Sequence, residues 1–267
     1  MIAFPEFRPG TVWIAGAGPG DPGLLTLAAH DALTRADVVL HDALVAPEIL
    51  ALIPAATRLI ASGKRAGGLH TPQLAINEQL ITLARQGLRV LRLKGGDPFI
   101  FGRGGEEVLA LAAAGIRFRV IPGISAGIGG ASADLLPITH RGIARSVAFA
   151  TGETGPAGGE PDWASLARAA DTLVLYMARA RIGAISRSLI EAGRSPDEPL
   201  AFLLDATTPR ARIVRARLAD AEAAALALPH AATLIIIGQT VTLAELLGNP
   251  AHETTTRDLP SHNLAQG

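Results

Sequence analysis

Leu93-Lys94-Gly95-Gly96-Asp97-Pro98-Phe99-Ile100-Phe101-Gly102-Arg103-Gly104-Gly105-Glu106-Glu107 is the stretch on which the fold is read. It follows the apolar run Leu88 to Leu93 and precedes an alanine-rich segment of helical pattern. Five of the eleven residues from 95 to 105 are glycine, more than a simple strand-to-helix turn needs. Such a density lets backbone approach a ligand closely. Lys94, Asp97 and Arg103 place charges at the carboxyl end of the expected strand. Open α/β sheets bind their ligands at that end.

Outward from this stretch, strands and helices alternate. Val12 to Ala15 reads as a strand ending in a glycine loop, and Leu24 to Leu33 as a helix. Strands follow at Ala36 to Leu40 and Arg58 to Ala61. Thr71-Pro72 opens a helix by cap and first-turn preference, and Gly87 stops it. Its Ile76, Leu80, Leu83 and Ala84 share one face. Glu106 and Glu107 fall in the first turn of the next helix, where the helix dipole favours acids. Phe118 to Ile121 is the fifth strand. This order predicts a parallel sheet covered on both faces.

Pro122-Gly123 marks the expected domain boundary. An extension, residues 1–10, precedes an N-terminal α/β domain, 11–122, and a C-terminal α/β domain, 123–248. A polar, flexible tail, 249–267, ends the chain. Strands are expected at 146–150, 172–176, 199–204, 212–218 and 232–237, and helices at 125–134, 163–169, 180–192, 219–226 and 241–247. No helix separates 199–204 from 212–218, so the second sheet is expected to be mixed. The loop Thr154 to Glu160 is mobile by composition.

Bulk properties narrow the function classes. The chain has 267 residues, with Lys+Arg and Asp+Glu at 24 each. No global field therefore draws it to nucleic acid or an anionic membrane. Cysteine is absent, which removes disulfides, thiolate metal sites and cysteine nucleophiles. Mean hydropathy is +0.32, but the apolar run Thr233 to Ile237 is too short to span a bilayer. Ile121 to Ile138 is broken by Pro122, Asp134 and Pro137. The first residues lack a signal-peptide layout. A soluble, cytoplasmic protein is expected.

The first glycine loop, Gly16-Ala17-Gly18-Pro19-Gly20-Asp21-Pro22, invites a dinucleotide reading. Asp21 stands where that fingerprint has its third glycine, and Pro19 has no N–H for a pyrophosphate. Asp42, just past the second strand, is placed as a ribose-binding acid would be. On balance a tight turn is favoured over a nicotinamide site. Asp42 reads equally as a cap, and Lys64-Arg65 as a solvated basic pair. Two cations among small residues also suit a carboxylate-rich or phosphorylated ligand. His140, Arg141 and Arg145 extend the same choice.

Taken together, these segments resemble the tetrapyrrole methylase family. The matching segments run in family order across residues 11 to 245. They are Gly16 to Thr26, Val38 to Asp42, Gly63 to Gly67, Arg92 to Glu107, Ile121 to Ala126, Pro137 to Arg141 and Thr207 to Arg210. Gly63-Lys-Arg-Ala-Gly67 together with Arg92 to Glu107 points to the branch that acts on uroporphyrinogen III.

The resemblance implies two α/β domains, the first with a parallel and the second with a mixed sheet. It places the active site in the trough between them, in a homodimer. S-adenosylmethionine is the implied methyl donor, methylating uroporphyrinogen III at ring carbons 2 and 7 to give precorrin-2, for cobalamin or sirohaem biosynthesis. Pro19, Gly95, Gly96, Asp97, Ile100, Ser125, Ala126, Met177 and Ala206 are the implied cofactor contacts. Asp42 is the implied proton acceptor and Lys64 the proton donor. Arg65, Arg103 and Arg141 are the candidates for substrate carboxylates. No metal, nucleic acid or membrane partner is implied, and no dehydrogenase domain is expected ahead of residue 11. Three positions depart from the family pattern: Ala206 replaces a frequent glycine, Glu153 a histidine and Leu69 a tyrosine. Ala206 is tolerable only if its φ is negative.

Overall fold

The computed structural model describes residues 3–62, 72–154 and 159–247. These divide into two compact units. The first runs to Gly130 and takes in Asp205–Thr208 and His230–Leu234. The second comprises Ala131–Leu204, Pro209–Pro229 and the residues from Ile235.

The first unit alternates β1 (Thr11–Gly16), α1 (Leu27–Arg35), β2 (Val38–His41), α2 (Pro47–Leu50), β3 (Arg58–Ala61), α3 (Gln73–Arg85), β4 (Arg89–Lys94), α4 (Gly104–Ala113), β5 (Arg117–Ile121) and most of α5 (Ala126–Ala133). The strands order as β3-β2-β4-β1-β5, and every pair is parallel. β1 and β2 are buried on both faces and read as unbroken apolar runs for that reason. Side chains alternate across the sheet. Trp13, Ala15, Val39, Leu91 and Leu93 pack with Ala29, Leu33 and Ile49 on one side. Val12, Ile14, Leu40 and Val90 pack with Ile76, Leu80, Leu83 and Leu111 on the other.

Local chemistry sets the helix starts. Thr26 caps α1 by accepting from Ala29 N at 3.2 Å. α1 begins three residues later than the sequence suggests, because Pro22–Leu24 forms a separate 3-10 turn capped by Asp21. Ile76, Leu80, Leu83 and Ala84 are the buried face of α3, as their spacing predicts. Thr71, the expected cap of α3, lies outside the described residues. The short α2 is not signalled by any periodicity. Ahead of β1, Phe7 stacks on Trp13 with ring centroids 4.2 Å apart. The guanidinium carbons of Arg35 and Arg119 lie 5.4 and 5.1 Å from the Trp13 ring centroid.

The second unit carries β6 (Val147–Thr151), α6 (Trp163–Ala169), β7 (Thr172–Tyr176), α7 (Ile182–Glu191), β8 (Pro199–Leu204), β9 (Arg212–Arg217), α8 (Ala221–Ala227), most of β10 (Thr233–Ile237) and α9 (Leu243–Leu246). Its sheet orders as β6-β7-β10-β8-β9. β6 and β7 are parallel, whereas β8 and β9 are antiparallel. The sheet is mixed, as the missing helix between β8 and β9 requires. β9 is an edge strand, and its exposed Arg212, Arg215 and Arg217 discourage pairing with another chain. The expected tail lies outside the described residues, as does 155–158 of the expected mobile loop.

Candidate active site

In the first unit, three strand ends converge as bare backbone. A Cβ on Gly16, at the end of β1, would lie 2.4 Å from Gly96 O and 2.5 Å from Gly123 Cα. One on Gly123, past β5, would lie 2.2 Å from Gly96 O. Gly96 itself has φ of 65° and Gly18 of 73°. These two exchange hydrogen bonds: Gly18 N donates to Gly96 O at 3.2 Å, and Gly96 N to Gly18 O at 2.8 Å. Glycine is required here because side chains would force β1, β4 and β5 apart.

The same crowding explains much of the opening stretch. A Cβ on Gly104 would lie 2.4 Å from Pro98 O, so the loop packs on itself. Asp97 ties it down, its Oδ1 accepting from Phe99 N at 2.8 Å and its Oδ2 from Gly123 N at 3.1 Å. Phe101 and Arg103 both adopt left-handed φ, 52° and 59°. Phe99, Ile100 and Phe101 are left exposed.

Two further segments border the strand ends. Ser125 is buried, and its carbonyl accepts from Ile128 N and Gly129 N at the start of α5. A Cβ on Gly129 would lie 2.9 Å from Pro19 Cγ, so Pro19 sits tightly against α5. Asp21 N donates to Thr207 Oγ1 at 3.1 Å, which joins residues 205–208 to the first glycine loop. Asp205 and Thr207 have φ of 44° and 64°. Ala206 between them is outside the left-handed region, so its backbone conformation is one that a residue with a side chain adopts without strain.

The expected cofactor residues Pro19, Gly95, Gly96, Asp97, Ile100, Ser125, Ala126 and Ala206 thus all belong to the first unit. Met177 belongs to the second unit, follows β7 and has φ of 51°. Of the six described non-glycine residues with positive φ, five lie in loops after β4, β7 and β8. Such strain persists where surrounding structure holds it, and it concentrates at functional sites.

Asp42 follows β2 and is fixed by its N–H to Leu93 O, 3.1 Å. Its carboxylate sits over a sealed charged cluster. Oδ1 accepts from Arg92 Nη2, and Oδ2 lies 3.5 Å from Lys94 Nζ. Arg92 Nε and Lys94 Nζ each approach Glu107 Oε1 at 3.0 Å. Arg92 Nη1 donates to Ser62 Oγ at 2.9 Å, and Gln73 Nε2 to Glu107 Oε1 at 3.2 Å. The Arg92, Lys94 and Glu107 side chains are at most 3% exposed, while Asp42 is 28% exposed. Asp42 is therefore the outlet of a cluster with two cations and two carboxylates.

The sequence did not single out Arg92 or Glu107. For Arg92 the signal is charge at alternate positions, 92 and 94, of a strand whose same-face neighbours pack under helices. Arg103 is exposed and pairs with Glu106 at 2.7 Å. Its hydrogen bonds hold the Glu106 carboxyl below the usual range. Arg141 is exposed in the second unit, where its carbonyl lies 2.8 Å from His140 Nδ1. Lys64, Arg65 and Leu69 lie outside the described residues. Glu153, at a departure from the family pattern, donates its N–H to Thr151 Oγ1 at 3.1 Å.

Residues 11–222 match the tetrapyrrole (corrin/porphyrin) methylases. A uroporphyrinogen-III C-methyltransferase of Sinorhizobium is 48% identical over 92% of this chain and 89% of its own length. Siroheme synthase 2 of Aeromonas hydrophila is 48% identical over 96% of this chain, which spans 55% of that protein. Among solved structures, the Thermus thermophilus uroporphyrin-III C-methyltransferase complexed with S-adenosylhomocysteine superimposes with a TM-score of 0.76. It is 41% identical, over 87% of this chain and 99% of that one.

Proposed function

The chain belongs to the tetrapyrrole methylases, and on that premise we propose that it methylates uroporphyrinogen III twice, at ring carbons 2 and 7, to give precorrin-2. The observation that carries this reading is the side-chain-free packing of the strand ends at Gly16, Gly96 and Gly123, with the partly exposed carboxylate of Asp42 at the end of β2, the strand paired with β4.

The cradle fits an adenosyl donor. Backbone at strand ends, free of side chains, can approach a folded ligand closely. Pro19, Gly95, Gly96, Asp97, Ile100, Ser125, Ala126, Met177 and Ala206 would hold S-adenosylmethionine. When bound, it supplies an electrophilic methyl group on a sulfonium that is already a good leaving group.

The protein's own tasks are then alignment, exclusion of water and handling of a proton. The exposed Phe99, Ile100 and Phe101 offer apolar cover to a macrocycle. A pyrrole carbon is electron-rich enough to attack without a protein nucleophile. Addition of methyl leaves the ring with a proton to lose, and Asp42 accepts it. Lys64 stands at the family's proton-donor position, and Arg65, Arg103 and Arg141 bind substrate carboxylates. The Arg103–Glu106 pair is half exposed and therefore weak, on the order of 1 kcal/mol or less, so a substrate carboxylate can replace Glu106.

The product serves sirohaem or cobalamin synthesis, and the enzyme is a cytoplasmic homodimer. A siroheme synthase among its relatives supports the first of these readings, and no described helix is long and apolar enough to cross a membrane. Label from methyl-labelled S-adenosylmethionine should appear in anaerobically prepared uroporphyrinogen III. Label that stays with the donor, in protein that binds S-adenosylhomocysteine, overturns the proposal.

A further inference from the structure

β4 carries two buried cations, Arg92 and Lys94, that the reaction above leaves without a task. Residues 90, 92 and 94 share one face of the strand, directed at α3 and α4. Val90 packs there among Ile76, Leu80, Leu83 and Leu111. Arg92 and Lys94 enter the same layer almost fully buried. A buried cation is costly unless paired, and an apolar layer in its place would be no less stable. Stability alone is therefore a poor reason for charges at these two positions.

Their geometry supplies another. Arg92 directs Nε to Glu107, Nη1 to Ser62 and Nη2 to Asp42 Oδ1. Lys94 Nζ lies between Glu107 Oε1, at 3.0 Å, and Asp42 Oδ2, at 3.5 Å. Each carboxylate oxygen of Asp42 thus faces a different cation. Glu107 and Ser62 fix those cations from behind. Among Asp42, Arg92, Lys94 and Glu107, only Asp42 is appreciably open to solvent.

We propose that Arg92 and Lys94 are positioning residues for Asp42, a buried two-point clamp that fixes the orientation of its carboxylate. This rests on the reading of Asp42 as the acceptor of the ring proton. The clamp engages Asp42 from inside the protein and leaves its carboxylate partly open to solvent. A carboxylate free to rotate would lose part of the advantage of fixed geometry.

The test is a double-mutant cycle on the intact protein. Lys94→Met and Asp42→Asn are made singly and together, and kcat, KM, S-adenosylhomocysteine affinity and thermal midpoint are measured for each. Lys94→Met is expected to lower kcat by about tenfold or more, with KM and cofactor affinity within about threefold of the parent. In the Asp42→Asn background the same change should cost no further activity, because its route through Asp42 is gone. Losses in kcat that multiply in the double variant overturn the clamp while leaving Asp42 as acceptor. An Asp42→Asn protein with parental kcat overturns the acceptor reading and the clamp with it. Should Lys94→Met not fold, Lys94→Gln carries the same comparison. If neither variant binds S-adenosylhomocysteine, the cluster is structural and the proposal fails.

Discussion

Arg92 Nε and Glu107 Oε1 lie 3.0 Å apart with both side chains sealed from solvent. Lys94 Nζ shares the same oxygen, so one carboxylate serves two buried cations. Removing it leaves Asp42 as the one carboxylate the cluster offers both cations, with Ser62 Oγ still accepting from Arg92. Glu107→Leu should destabilise the protein by about 3–5 kcal/mol, the usual cost of breaking a buried pair from one side. Urea unfolding measures this, and a loss below about 1 kcal/mol would contradict the pairing.

Gly16→Ala places a methyl group 2.4 Å from Gly96 O, a contact that only backbone movement can relieve. Overpacking of this kind costs about 1–3 kcal/mol. The movement falls on the cradle, so S-adenosylhomocysteine affinity should drop about tenfold or more. Calorimetric titration reads it directly. Unchanged affinity would mean that these strand ends do not form the cofactor site.

Ala206 needs no left-handed φ, unlike Asp205 and Thr207 on either side. Ala206→Gly should therefore bring no gain in cofactor affinity. It should lower stability by about 0.4–1 kcal/mol through added freedom of the unfolded chain. A marked rise in affinity would show that the methyl group obstructs the site.

Asp37 joins the starts of β2 and β4, accepting from Arg89 N at 2.8 Å and Nε at 3.1 Å. The Arg89 hydrogen bonds hold its carboxyl below the usual range. A depressed folded-state value stabilises the protein above the unfolded Asp value, about 4, and that contribution disappears as pH falls through the folded one. The pair is about one-third exposed, which limits its worth to roughly 1 kcal/mol. The thermal midpoint of Asp37→Asn should lie below that of the parent at neutral pH. The gap should close on acidification, and a gap that widens would reverse the sign argued here.

Much of the fold was legible because its signals are local. Ile76, Leu80, Leu83 and Ala84 recur at helical spacing and form the buried face of α3. The strand pair 199–204 and 212–218, with no helix between, announced the mixed sheet. The start of α1 is masked in the sequence because Leu24 and Leu25 continue an apolar run. Asp21 instead caps a 3-10 turn there, and Thr26 starts the helix. Asp21 also explains why the dinucleotide fingerprint is broken in this loop.

The candidate site was legible where backbone glycine carries it and less so where buried charge does. Gly96 stood out by composition, although Gly104 proved to serve the loop's own packing on Pro98. Glu107 read as a helix-dipole acid like Glu106. Only tertiary packing separates them, since α4 turns Glu107 into the sheet and leaves Glu106 at the surface with Arg103. Lys94 shows its task only in three dimensions, where Glu107 and Asp42 lie on either side of it.

The central claim is tested most directly by the structure of the product. Purified protein is incubated anaerobically with uroporphyrinogen III and excess S-adenosylmethionine, and the product is examined by mass spectrometry and carbon NMR with labelled methyl groups. Two methyl groups on each macrocycle, at ring carbons 2 and 7, are predicted. Unmodified macrocycle, or methyl groups at other positions, from protein that binds S-adenosylhomocysteine would contradict the account.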